Sequence, residues 1–316
     1  MTLQTEKTFL PLGETSILIA LPHLALLRVS GEGAKKLLQG QLTCNLEEIT
    51  PSQSRLGAFC QPQGRMLSLF RLFIYRDDYY LQMPTEILGE TLTTLKKYAV
   101  FFKANLEDAS TTLGRLSYSG KHAESELKNI SPTLPEAADS IVSLNDLLIL
   151  KLPGEVAHYE FIGEPAAIED LRQKLLSHAK TADQNTWDCL NIIAGIPNLY
   201  VATAGKLLPH DINLPQINGV SFNKGCYTGQ EIIARMQYRG QLKKHMYRGR
   251  VTAASKPLPG ADIFDDKPCG ILVDSCQENA TTYQILLIAD QSTIENKQLF
   301  LDPAKIHPIE LLTLPY

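Results

Sequence analysis

The sequence predicts an α+β chain, and three observations carry that reading. Residues 55–83 are β-rich segments separated by turn residues, residues 85–98 repeat apolar side chains at helical spacing, and the tail past Gly240 is cut into short strands by Pro and Gly. Taken in order, the apolar strand Leu24–Ser30 stops at Gly31 and Gly33, and residues 34–39 follow as a short helix closed by Gly40. Strands are then expected at 56–60, 66–75 and 79–83, with turns at Gln61-Pro-Gln-Gly64 and Asp77-Asp78, which makes an antiparallel meander. Thr85 is positioned to cap a helix whose Leu88, Leu92, Leu95 and Ala99 share one face. A strand over 101–106 follows. Residues 107–140, with Pro132 and Pro135, lack a periodic pattern and read as a connection. A second α+β unit occupies 141–152 and 159–162, with a helix over 166–177. Trp187 falls in a further helix leading to Gly195 and reads as a core anchor. The tail, divided by Pro257, Pro259, Gly260, Pro268 and Gly270, reads as a small β-domain or barrel. No internal repeat is visible.

Composition narrows the function classes. With 316 residues the chain is long enough for two or three modest domains, and 44% hydrophobic with 20% charged residues is ordinary for a globular protein. A net charge of −4 argues against a surface that is basic throughout. The N-terminal Met1-Thr-Leu-Gln-Thr-Glu-Lys7 has no leader-like pattern, Glu6 and Glu14 are wrong for a transit peptide, and no apolar run approaches the ~18 residues of a membrane span. The six cysteines are unevenly scattered, with no Cys-x-x-Cys pair, so neither a compact disulfide framework nor a metal or cluster site is expected, and a cytoplasmic location fits.

The densest chemistry lies in 223–235. Gly225 and Gly229 permit backbone conformations that a side chain forbids, and the chain from Glu231 onward suits a short helix. Cys226 then precedes a helix N-terminus and stands two residues from Lys224, and both positive ends favour thiolate. On base usage alone, a single cysteine in a glycine-rich turn is more often a small buried residue. Downstream, Arg235, Arg239, Lys243, Lys244, Arg248 and Arg250 form a basic run with no acid among them. It suits an anionic partner, which is the polyanionic tail of a small ligand, a nucleic-acid backbone or an acidic protein face. A solvated strand or linker is the plain alternative, and the two interleaved tyrosines do not select RNA. His210-Asp211 reads as a polar loop.

Lys224-Gly-Cys-Tyr-Thr-Gly-Gln-Glu231 resembles the signature of the YgfZ family, which is similar in fold to the glycine-cleavage T-protein. Leu38-Gln-Gly-Gln-Leu-Thr43, Cys60-Gln-Pro-Gln-Gly-Arg-Met66, Ala194-Gly-Ile-Pro197 and Asn213-Leu214 match in the expected order, so the resemblance covers 24–250. The chain departs from the family pattern at Asn191, where many relatives carry arginine, and at His210, where glutamine is usual. The resemblance implies a three-domain ring with ferredoxin-like lobes, a C-terminal β-barrel and a central channel. It implies a bilobed region over 1–238, with a second lobe inserted at about 46–117, and a C-terminal domain over 239–316. It further implies binding of tetrahydrofolate or a one-carbon derivative, and support for iron–sulfur client or assembly proteins, including one that modifies tRNA. Cys226 and Lys224 would carry the chemistry, while Gln41, Thr43, Gln63, Arg65, Tyr227, Gln230, Glu231 and Arg235 would contact folate. Gln41, Thr43, Gln63 and Arg65 each read singly as ordinary turn residues. A folate-dependent aminomethyltransferase is the alternative that the shared fold leaves open.

Overall fold

A computed structural model describes residues 14–240 and 242–316; the leader-free reading of Met1–Lys7 falls outside them. Three sheets organise the chain. The first has the order β11-β1-β7-β10-β9-β8, built from β1 (Ser16–Ala20), β7 (Gly114–Gly120), β8 (Ile141–Leu144), β9 (Leu147–Leu152), β10 (Ala157–Gly163) and β11 (Ala179–Ala182). The second has the order β3-β4-β5-β2-β6, from β2 (Leu24–Ser30), β3 (Arg55–Cys60), β4 (Met66–Tyr75), β5 (Asp78–Pro84) and β6 (Asn105–Asp108). The third has the order β13-β14-β15-β12-β16, from β12 (Lys244–Thr252), β13 (Asp262–Phe264), β14 (Pro268–Gln277), β15 (Thr282–Asp290) and β16 (Ile309–Leu312).

The expected meander is β3-β4-β5, and its second turn falls at Arg76 and Asp77, both at positive φ, as a tight hairpin requires. Several expectations need correction. The first helix, α1 (Ala34–Gln41), runs through Gly40 instead of stopping there. Thr85 opens α2 (Thr85–Ala99) without capping it, because its hydroxyl donates to the His23 carbonyl at 2.8 Å. Phe101 belongs to an exposed turn, and the strand after α2 begins only at Asn105. The stretch 107–140 is no mere connection. It holds β7 and α3 (Ala123–Lys128), and β7 is satisfied by partners on both sides of it in sequence, β1 and β10. Residues 141–152 form a hairpin, with Asn145 at positive φ in the turn.

Burial explains the layering. Helices α1 and α2 pack on the second sheet with Leu37, Leu38, Ile87 and Leu95, while α3 and α4 (Pro165–Leu175) cover the first with Leu127, Leu171 and Leu175. Leu26, Phe73 and Tyr80 of the second sheet meet Leu148, Leu150 and Ile162 of the first. The largest core runs from β3 and β4 through α5 (Gln184–Ile193) and α6 (Gln230–Arg239) to β14 and β15, so the motif segment sits where the second and third sheets meet.

The third sheet is not a continuous closed ladder. Phe300 bridges Phe264 at one edge and Pro308 beside β16 at the other, which curls five strands toward a barrel, and α7 (Gln291–Asn296) lies after β15. A disulfide between Cys189 of α5 and Cys276 of β14 ties this sheet to the rest, a pairing across 87 residues that spacing does not signal. Among the described residues no helix is long and apolar enough to cross a membrane.

Candidate functional site

The glycine-containing motif is held by two other segments of the sequence. Gly229, the residue before α6, has φ +85, and a Cβ there would stand 2.6 Å from the Gln61 carbonyl oxygen in the β3–β4 turn. Gly64 of that turn, at φ +77, lies against Ile232 and Ile233 of α6. The C-terminal end of α1 closes the third side. Thr228 donates from its hydroxyl to Gln41 Oε1 at 3.0 Å and from its backbone to the Gly40 carbonyl at 3.3 Å. Gly225, by contrast, has open space about it and no positive φ, so only Gly229 of the expected pair is required by the backbone.

Lys224 and Cys226 diverge. Lys224 is buried, and its ammonium donates to the carbonyls of Leu42 and Cys44 at 2.6 and 2.7 Å, with the Tyr227 ring 5.0 Å away. Burial lowers its pKa to about 8, opposed by the nearby Cys44 thiol. Its charge is therefore spent on fixing the α1–β3 connection and is not directed at Cys226. Cys226 itself faces solvent. Tyr227 turns inward, and burial pushes its phenol well above the usual tyrosine range.

The other anticipated contacts divide by what they already hold. Thr43 is fully buried and saturated: its hydroxyl donates to the Gly219 carbonyl at 2.6 Å and accepts from the Ala58 amide at 2.8 Å. Gln230 accepts from the Tyr227 amide at 3.3 Å. Arg65, exposed, donates to the Lys206 carbonyl and lines a 560 Å³ cleft with Lys206, Asp211 and Lys244. Gln63, Glu231 and Arg235 are exposed. In the basic run, Arg250 is paired with Glu278 and Glu310 and Arg248 donates to Gln284, so both belong to the third sheet's own structure. Arg235, Arg239, Lys243 and Lys244 stay exposed. His210-Asp211 lies in a 3-10 turn, Pro209–Ile212.

A second constellation escapes sequence reasoning. Where the first two sheets meet the segment after α5, a small cavity of about 50 Å³ is lined by Arg71, Gln82, Glu160, Trp187, Asn191 and Asn198 among others. Glu160 is fully buried, and among the described residues neither carboxylate oxygen makes a hydrogen bond of ordinary geometry, although the Gln82 side chain is near enough to lower its pKa; Gln82 Oε1 is likewise without a partner there. Burial raises the Glu160 pKa to about 7, against the lowering influence of Gln82, Arg71 and Arg115. Arg71, its neighbour, is engaged with Asp139 and Ser54. Unpaired buried carboxylate oxygens are acceptors that call for N–H donors. Trp187, 5% exposed, adds an aromatic side chain to the lining.

The chain is 36% identical over 249 residues to the tRNA-modifying protein YgfZ of Colwellia psychrerythraea, covering 78% of this chain and 76% of that one. It is 35% identical over 249 residues to the protein of the same name from Photorhabdus laumondii, covering 78% and 74%. Its backbone matches the glycine cleavage system aminomethyltransferase T of Bartonella henselae with a TM-score of 0.78, over 96% of this chain and 87% of that one, at 16% identity. That likeness carries the fold, and it is the α+β fold the motifs imply. No family model matches the chain.

Proposed function

The chain belongs to the YgfZ family, and from that premise we propose that it is a tetrahydrofolate-binding accessory protein supporting assembly or repair of iron–sulfur enzymes, tRNA-modifying ones among them, with Cys226 as its functional thiol. One observation carries the thiol. Among the described free cysteines Cys44 and Cys60 are buried, Cys269 is partly covered, and Cys226 alone is exposed, on a segment whose neighbours are locked. A sulfur presented this way suits contact with a visiting protein or cluster.

For the folate, the cavity beside Glu160 offers the pterin contact, with Glu160 accepting from the pterin edge and Trp187 against its face. Its volume of about 50 Å³ holds only a few waters, so the segment 196–198 or Trp187 must yield on binding. Tetrahydrofolate, once bound, supplies a nitrogen that accepts or donates one-carbon units. Trp187 is the chain's single tryptophan, so its fluorescence reports directly on this site. Tetrahydrofolate should quench it saturably, and Glu160→Gln should weaken binding by about tenfold or more through loss of charge-assisted hydrogen bonds. No quench, or equal affinity in the variant, removes the cavity from consideration.

The fold match supports a second reading, a folate-dependent aminomethyltransferase. Cys226→Ala separates the two. The accessory role loses activity of an iron–sulfur client while folate binding persists, whereas a transferase is little affected.

A further inference from the structure

On the first sheet, a hollow of about 310 Å³ opens between the end of α3, the β8–β9 hairpin and α4, and it shares no lining residue with the cavity beside Glu160. Ile149 of β9 and Phe161 of β10, both buried, line it from the sheet. Ile130, Leu134, Leu144 and Leu147 also line it, packed against the same core yet only half-buried. The hollow therefore leaves aliphatic surface facing water. Its one buried polar side chain, Ser131, is already engaged, with the hydroxyl donating to the Thr133 carbonyl at 2.6 Å. The charges stand in the exposed part of the lining. Asp146 is paired with Arg76 at 2.8 Å, whereas Asp170 and Lys174, one turn apart on α4, make no ion pair among the described residues.

We propose that this hollow binds a medium-chain fatty acid, its acyl chain against Ile149, Phe161 and the half-buried aliphatic side chains and its carboxylate at Lys174. A buried lining with no donor or acceptor left to offer admits an apolar group and disfavours a ring bearing N–H or C=O. The volume equals roughly ten water-sized groups, which is room for a chain of about eight to ten carbons. Of the two unpaired charges, Lys174 has a long flexible stem able to lie along apolar surface and carry its ammonium over the mouth. The short Asp170 side chain has no such reach, so an anionic head is favoured over a cationic one.

Isothermal titration calorimetry of the intact protein with octanoate tests the site. Saturable binding is expected, tightening about fourfold for each methylene added from hexanoate to octanoate. Octylamine, with the same chain length and the opposite charge, should bind more weakly. Ala167→Phe, on the part of α4 that lines the hollow, fills it from a half-buried position. It should abolish octanoate binding with the melting temperature unchanged or raised. Lys174→Gln, at an exposed position, decides the head group independently of packing: it should weaken octanoate about threefold and leave octanol unaffected. Absence of saturable octanoate binding, affinity that is independent of chain length, octylamine binding as tightly as octanoate, or octanoate binding that either variant leaves unchanged overturns the proposal.

Discussion

Glu160 is held in a state that opposes stability. Its carboxyl titrates near 7 when folded, against an ordinary value near 4.5, so the folded chain binds the extra proton between those limits. Stability therefore falls as pH rises through that window, and above it the full cost applies, at most about 3 kcal/mol from the size of the shift. Glu160→Gln should raise the melting temperature of the ligand-free protein at pH 8 and flatten its pH dependence between 5 and 7.5, as read by thermal denaturation across pH. A variant that is equally pH-sensitive would assign the slope to other groups. Cys226 makes the opposite case, a residue whose loss costs the fold little. Cys226→Ala should shift stability by no more than about 0.5 kcal/mol, and the wild-type thiol should alkylate faster than Cys44 and Cys60, measured by timed labelling and peptide mapping. The two residues also differ in legibility. Cys226 is visible in sequence because a rare residue type sits inside a specific motif. Glu160 is not, because in β10 it occupies one position of an alternating strand, and only the meeting of two sheets makes that position face Arg71 and Gln82.

The motif loop and the β3–β4 turn form a unit in which one glycine matters and its neighbour does not. Gly229→Ala should destabilise by about 1–3 kcal/mol, since it combines a left-handed backbone with a Cβ 2.6 Å from the Gln61 carbonyl oxygen. Gly225→Ala, in open space, should change stability by under about 0.5 kcal/mol. Urea midpoints of the pair decide the matter, and equal losses would mean that the loop is held by something other than this close approach. The same locality explains which elements the sequence reveals. The meander β3-β4-β5 is legible because its pairing is between neighbours and its turns carry their own residue signals. β7 is hidden, since its register is dictated by β1 and β10 and no local pattern announces it. Val100-Phe101 misleads in the other direction: two apolar residues suggest a strand where the chain makes an exposed turn.

Across the whole molecule, the Cys189–Cys276 disulfide joins α5, which carries Trp187 and Asn191 of the cavity beside Glu160, to the third sheet. Closing 87 residues of chain, it should contribute about 2–5 kcal/mol. Denaturation with and without a thiol reductant, compared with the same pair on Cys276→Ser, measures it: the reductant should lower the midpoint of the wild type and leave the variant unaffected. Nothing in the spacing of six scattered cysteines identifies this pair, because only the packing of α5 on β14 brings the sulfurs together. The contacts that hold the motif are more distant still, with Lys224 reaching 182 and 180 residues back to Leu42 and Cys44, and Thr43 reaching 176 forward to Gly219. On the ribosome, the loop around Cys226 can therefore find its seat only after 180 residues have been added beyond Cys44. A nascent chain halted between Cys44 and Lys224 carries the two carbonyls without the ammonium that fixes them.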